Sequence, residues 1–166
     1  MRTAPLILAL LTFSAVPAFA EWESTILPKG FTYEASLSKA IDRAAQEGKA
    51  VVLYYTRTNC PPCDALRQRL RNDPVGEIYR NKYVFSAVWG SSMSKTEQDQ
   101  FRGRYGFGGA PAWMFFNSQG TYLCTARGGV FESDEEGIKL HTAVQAMIAN
   151  PAVGTGGSQN CMGRKP

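Results

Sequence analysis

Apolar positions along the chain switch between a helical period and continuous runs, and the switches lay out an alternating series of elements. Leu37, Ala40, Ile41, Ala44 and Ala45 recur at helical spacing, and Gly48 after Glu47 supplies a C-terminal stop. Ala50 to Tyr55 reads as a strand. Its run Val51-Val52-Leu53-Tyr54-Tyr55 is continuously apolar or aromatic, as expected where a sheet is covered on both faces. Beyond the loop Thr56 to Asn59 and two prolines, Ala65, Leu66, Arg69 and Leu70 continue as an amphipathic helix that Asn72-Asp73-Pro74 ends. Val75, Ile78 and Tyr79 suit a short further helix, and Tyr83 to Trp89, rich in aromatic and β-branched residues, is the next strand.

Ser94-Lys95-Thr96-Glu97 is a capping box, which starts a helix towards Arg104 with Phe101 facing inward. Gly106, Gly108 and Gly109 end it before Pro111. Trp113 to Phe116 and Thr121 to Ala126 are strands joined by the hairpin loop Asn117-Ser118-Gln119-Gly120. A second capping box, Ser133-Asp134-Glu135-Glu136, opens a helix with Ile138, Leu140, Val144, Met147 and Ile148 as core candidates, and Pro151 stops it. Helices alternating with the early strands imply parallel crossovers, and the late hairpin adds an antiparallel pair. The expected fold is therefore α/β, a mixed four- to five-stranded sheet with helices on both faces. Residues 36–150 form the domain, 21–35 an extended lead-in, and 151–166 a tail that its glycines make flexible by composition.

Composition narrows the class. The chain has 166 residues, 44% hydrophobic and 19% charged, which excludes disorder, collagen and solenoid architectures. A net charge of +4 without aromatic-basic motifs gives no basis for nucleic-acid binding, and a single His is too little for a histidine-rich metal site. At the N-terminus, Arg2 precedes an apolar run from Leu6 to Val16 broken only by Thr12 and Ser14, followed by Ala18-Phe19-Ala20. This three-part pattern predicts that residues 1–20 are a secretory signal cleaved before Glu21, and hence an exported protein in an oxidising compartment. The alternative, a membrane anchor, is opposed by a run short of the roughly 20 residues a span requires and by Pro17. No later segment predicts stable membrane insertion.

An oxidising compartment gives the four Cys their meaning. Cys60-Pro61-Pro62-Cys63 lies at the end of a buried strand and the start of a helix. There, unpaired backbone amides and the helix dipole favour a thiolate at Cys60, and Cys63, one turn deeper, is placed to close a disulfide with it. Pro61 and Pro62 suit the first helical turn, which has no intrahelical use for its amide hydrogens. Two other chemistries stay open at this point: half of a zinc knuckle, and an inert structural disulfide. Zinc would need two more ligands, and Cys124 and Cys161 are neither at knuckle spacing nor joined by a nearby His.

The stretch Val51-Val52-Leu53-Tyr54-Tyr55-Thr56-Arg57-Thr58-Asn59-Cys60-Pro61-Pro62-Cys63, together with Tyr105-Gly106-Phe107-Gly108-Gly109-Ala110-Pro111-Ala112-Trp113-Met114-Phe115-Phe116 and Gly120, resembles the thioredoxin superfamily over roughly residues 35–149. Ala35 to Cys63 and Asp73-Pro74 are most similar to the periplasmic C-terminal domain of the DsbD electron-transfer protein and its single-domain relatives. The resemblance implies a thioredoxin-like fold with Cys60 attacking and Cys63 resolving. It also implies that Pro111 is a cis-proline facing the pair and that the Ala110 backbone pairs with an extended substrate. Trp113 beside Pro111 is a candidate for lining that groove, with Pro61 and Pro62. Three residues depart from the family pattern: Ala110 where many members have Thr, Asn59 where an aromatic residue is usual, and Tyr54 where a buried Asp usually takes the resolving thiol's proton.

Asp64 and Arg67 read as solvated surface charges, and His141 as structural or exposed. Cys124, mid-strand, and Cys161, in the tail, either pair and staple the tail or remain one inert and one reactive thiol. The expected function is that of a periplasmic thiol-disulfide oxidoreductase, acting on protein thiols or disulfides, reductase before oxidase. It is expected to be a monomer with no cofactor beyond the Cys60-Cys63 disulfide and a membrane-bound electron donor as a candidate partner. The alternatives are a non-catalytic binding module with a permanent disulfide, and a cytochrome-maturation reductase. The latter is suggested by Gly109-Ala110-Pro111 but opposed by Ala112 where such proteins carry an acidic residue.

Overall fold

The computed structural model describes residues 27–127, 129–150 and 159–162. The expected signal segment and its cleavage point lie outside the described residues, as do residues 151–158 and 163–166 of the tail. In chain order the elements are β1 (Thr32–Tyr33), α1 (Leu37–Glu47), β2 (Ala50–Thr56), α2 (Pro61–Arg69), α3 (Val75–Lys82), β3 (Tyr83–Trp89), α4 (Lys95–Tyr105), β4 (Ala112–Phe116), β5 (Tyr122–Ala126) and α5 (Asp134–Ala149). They form one mixed sheet in the order β1-β3-β2-β4-β5. β1, β3 and β2 run parallel, and β4 is antiparallel to both β2 and β5.

Local sequence accounts for the helix ends. The Ser36 hydroxyl accepts the Lys39 N–H at 3.3 Å to open α1, and Gly48 closes it at φ 64°, a left-handed conformation that costs glycine no Cβ clash. Ser94 and Glu97 satisfy each other's backbone N–H groups at the start of α4. At α5 the Ser133 hydroxyl accepts the Glu136 N–H, while the Glu136 carboxylate takes the N–H of Glu132.

Alternation along the strands sends side chains to two cores. Val52, Tyr54, Phe85, Trp113 and Phe115 face α2, α3 and α5, where Leu66, Leu70, Tyr79, Leu140 and Val144 meet them. Val51, Leu53, Tyr55, Val84 and Met114 face the other way, onto Ala40 and Ala44 of α1 and the Tyr105–Phe107 corner after α4. Both faces of β2 are thus covered, which is why its sequence is continuously apolar. At the end of β3, Gly90 lies so close to the Tyr55 hydroxyl that any Cβ would collide with it.

The structure extends two sequence expectations, on the lead-in and the tail, and corrects a third, on Ile138. The lead-in carries β1, which pairs with β3 through Thr32 and Val84, and Leu27, which is buried in the core. Ile138, expected inside, is 39% exposed, because the inward face of α5 is set by Leu140, Val144 and Met147. The tail is not free over its described part. Thr125 donates to the Gln159 carbonyl at 2.8 Å, Cys161 donates back to the Thr125 carbonyl at 3.1 Å, and Cys161 is buried and disulfide-bonded to Cys124. Residues 159–161 therefore lie along the β5 edge at Thr125. No helix among the described residues is long and apolar enough to cross a membrane.

His141, on α5, shares a 2.8 Å hydrogen bond between its Nδ1 and the Tyr83 hydroxyl, with the Tyr79 ring edge-on to it. Burial, and secondarily the Lys82 charge, hold its pKa below the usual imidazole value.

Two outcomes are expected. Replacing Cys124 and Cys161 together by Ala reopens a 37-residue separation and should lower stability by about 3–4 kcal/mol from loop-closure entropy. Urea unfolding without reductant measures this, and an unchanged midpoint would mean the pair is not bonded in solution. Because the fold keeps His141 neutral, the unfolded chain binds more protons between the depressed folded value and the ordinary value of 6.5. Stability should therefore fall as pH drops through that window, and His141→Gln should flatten that part of the curve; equal slopes in the two proteins would contradict this.

Candidate functional site

β2 delivers the chain to the site. After Thr56 the loop residue Asn59 takes φ 53°, a left-handed conformation that Asn tolerates better than most residues, and this turns the backbone into α2. Cys60 is the N-cap of α2, Pro61 and Pro62 occupy its first two positions, and Cys63 follows. The Cys60 carbonyl accepts the N–H groups of Cys63 at 2.9 Å and Asp64 at 3.1 Å, closing the first turn. The loop is tied to the short 3-10 turn Gly90–Ser92: Ser91 Oγ accepts the Thr58 N–H at 2.9 Å and lies 3.0 Å from the Thr58 hydroxyl.

Cys60 and Cys63 are disulfide-bonded, with their Cα atoms 5.2 Å apart. Both are nearly covered, Cys60 at 4% exposure and Cys63 at 6%, while the rings of Pro61 and Pro62 are exposed. Although Cys60 stands at the helix start, little of it is open to solvent. Cys124 and Cys161 bond to each other at β5, so neither joins this pair.

The antiparallel register of β2 and β4 pairs Tyr55 with Ala112. The start of β4 therefore lies at the sheet end where β2 runs into the Cys loop, and the preceding Ala110–Pro111 segment is brought to that same end. Its peptide bond is cis, with Ala110 half-buried and Pro111 buried.

Trp113 does not line a groove. It pairs with Tyr54, one residue along from Tyr55 and Ala112, so it points to the opposite face of the sheet. It is fully buried there, with its ring edge-on to Tyr54, Tyr79 and Phe85, and it acts as a core residue.

Behind the Cys pair a cleft of ≈ 300 Å³ opens to solvent, bounded by Tyr54, Arg57, Asp64, Arg67 and Trp89 and reaching both cysteines. Tyr54 is buried at its base. Burial pushes its phenol up to about 12 against the opposing influence of a Thr56 hydrogen bond and the Arg67 charge, with Asp64 adding slightly to the rise. The phenol thus stays protonated at neutral pH and takes no proton from a thiol. Asp64 and Arg67, read from sequence as separate solvated charges, form an ion pair at 2.6 Å on the rim of this cleft. The Thr58–Ser91 tie and the place of Trp89 in the cleft wall had no sequence signal, since both depend on where β3 ends in space. Arg67 did have one: it lies four residues after Cys63 on the same helix.

A family model of the thioredoxin-like domain matches residues 37–139. No curated protein sequence matches the chain significantly. Among solved structures, a thioredoxin from Thermus thermophilus superposes with a TM-score of 0.56 at 19% identity, over 71% of this chain and 89% of its own. A disulphide isomerase from Xylella fastidiosa Temecula1 superposes with a TM-score of 0.54 at 22% identity, over 66% of this chain and 88% of its own. At these identities the likeness is one of fold.

Proposed function

Because the chain belongs to the thioredoxin-like family, we propose that it is a thiol-disulfide oxidoreductase that exchanges the Cys60-Cys63 pair with protein substrates in the periplasm, working as a reductase. The observation that carries this reading is the placement of a bonded Cys pair in the first turn of α2, directly after a strand buried on both faces. Helix-start amides favour negative charge on the Cys60 sulfur, and the rigid prolines hold the turn in the geometry that both the dithiol and the disulfide need.

In the reducing direction the Cys60 thiolate attacks one sulfur of a substrate disulfide. A Cys60–substrate bond forms, and the second substrate sulfur leaves as a thiolate that takes a proton from solvent. The Cys63 thiol then loses its proton and attacks the Cys60 sulfur. The intramolecular disulfide closes, the substrate departs as a dithiol, and two electrons have passed from protein to substrate. An extended substrate segment pairs with the Ala110 backbone beside Pro111 and rests against the exposed faces of Pro61 and Pro62. The N-terminal pattern of residues 1–20 supports export, and the similarity of Ala35 to Cys63 and Asp73-Pro74 to the DsbD domain supports reduction, with a membrane-bound protein dithiol as the electron donor.

Cys60→Ser should abolish disulfide reduction in a turnover assay, while Cys63→Ser should accumulate mixed disulfides that appear as higher-mass species on non-reducing gels. Exchange retained by Cys60→Ser would reject the assignment of the attacking sulfur.

A further inference from the structure

Resolution requires a thiolate at Cys63, a residue of α2 that is 6% exposed, and Tyr54 of β2, which borders the same cleft, is a protonated phenol. The charged and titratable groups around the cleft that reaches Cys63 are Tyr54 from β2, Arg57 from the loop, and Cys60, Asp64 and Arg67 from α2; β3 contributes the uncharged Trp89. Of the two cations, Arg67 is the better placed. Cys63 and Arg67 are four residues apart on α2, so they share one face of the helix. Helical side chains lean towards the N-terminus, which carries the Arg67 stem back over the turn that holds Cys63. Its side chain is 23% exposed against 58% for Asp64, and their 2.6 Å ion pair fixes the guanidinium at the cleft wall. Arg57, by contrast, lies on the exposed loop.

Resting on the exchange reading above, we infer that Arg67, oriented by Asp64, is the positioning residue that stabilises the Cys63 thiolate during resolution. The solvent-filled cleft carries the thiol proton away. The thiolate then attacks the Cys60 sulfur, the Cys60–substrate bond breaks, and the departing substrate thiolate is protonated by solvent. Arg67 remains charged throughout and neither gains nor loses a proton. Asp64 tempers the cation, so the two groups together set the pH at which resolution runs.

The test uses the whole protein, reduced at Cys60–Cys63 with stoichiometric dithiothreitol and mixed with an aryl disulfide whose thiolate is coloured. Attack by Cys60 releases one coloured thiolate, and resolution by Cys63 releases a second while the protein dithiol is oxidised to the disulfide. In Arg67→Gln the second release should slow roughly tenfold relative to the first at neutral pH, its pH profile moving about one unit towards alkaline. Arg67→Lys should recover most of the loss. A second release whose pH profile is the same in Arg67→Gln as in the parent overturns the role of Arg67 while leaving the exchange reading intact. Absence of the first release in the parent protein overturns both.

Discussion

β2 is hydrogen-bonded along both edges, to β3 and β4, and covered on both faces by helices, and the other elements take their positions from it. A strand with no free edge and no wet face has its register specified twice over, because a slip of one residue would exchange the two cores. Tyr54 and Tyr55 illustrate this. The first packs edge-on to Trp113 among α2, α3 and α5, and the second packs on Phe101 and Phe107 on the opposite side. The end of β2 is therefore a rigid point, and the Cys pair begins four residues beyond it.

That rigidity sets the chemistry. Thr56 ends the strand, the Thr58–Ser91 hydrogen bond holds the loop against the end of β3, and Asn59 makes the turn into α2. The two sulfurs are consequently presented in a fixed turn, and the same register brings the start of β4, with Ala110 and Pro111, to the same sheet end. Where thioredoxins usually carry a buried carboxylate behind the pair, this chain has a buried phenol, and the ionisable carboxylate and guanidinium lie further out on the rim of a solvent-open cleft. A tyrosine in place of an aspartate removes the cost of burying a charge, and the carboxylate and guanidinium of this region stand where water can reach them.

Most of the architecture was legible in the sequence because its signals are local. The continuous apolar run of β2, the Ser94 capping box, Gly48 after α1 and the Cys-Pro-Pro-Cys turn each specify their element through nearest neighbours along the chain. What was missed depends on distant partners. β1 is two residues long and exists only because Val84 and Phe85 present an open edge to it. The tail reads as flexible from its glycines, but the Cys124–Cys161 bond and the Thr125 backbone hold residues 159–161 against β5. Trp113 lies two residues from Pro111, yet strand alternation turns it into the core and away from the site. Ile138 matched the helical period but fell one position outside the buried stripe of α5. Asp64 and Arg67 are surface charges, as their place on the helix suggests, but the ion pair between them and the cleft that they border depend on the folded backbone.

The central claim is that the Cys60–Cys63 bond is made and broken in function, although both sulfurs are nearly covered, as a permanent structural disulfide's would be. Equilibrium titration of the pair against thiol-disulfide buffers, followed by mass-resolved alkylation of Cys60 and Cys63, measures its reduction potential directly. An exchanging pair should titrate between about −120 and −270 mV, with a reductase towards the lower end. A value far below about −300 mV would mark a static disulfide and contradict the account.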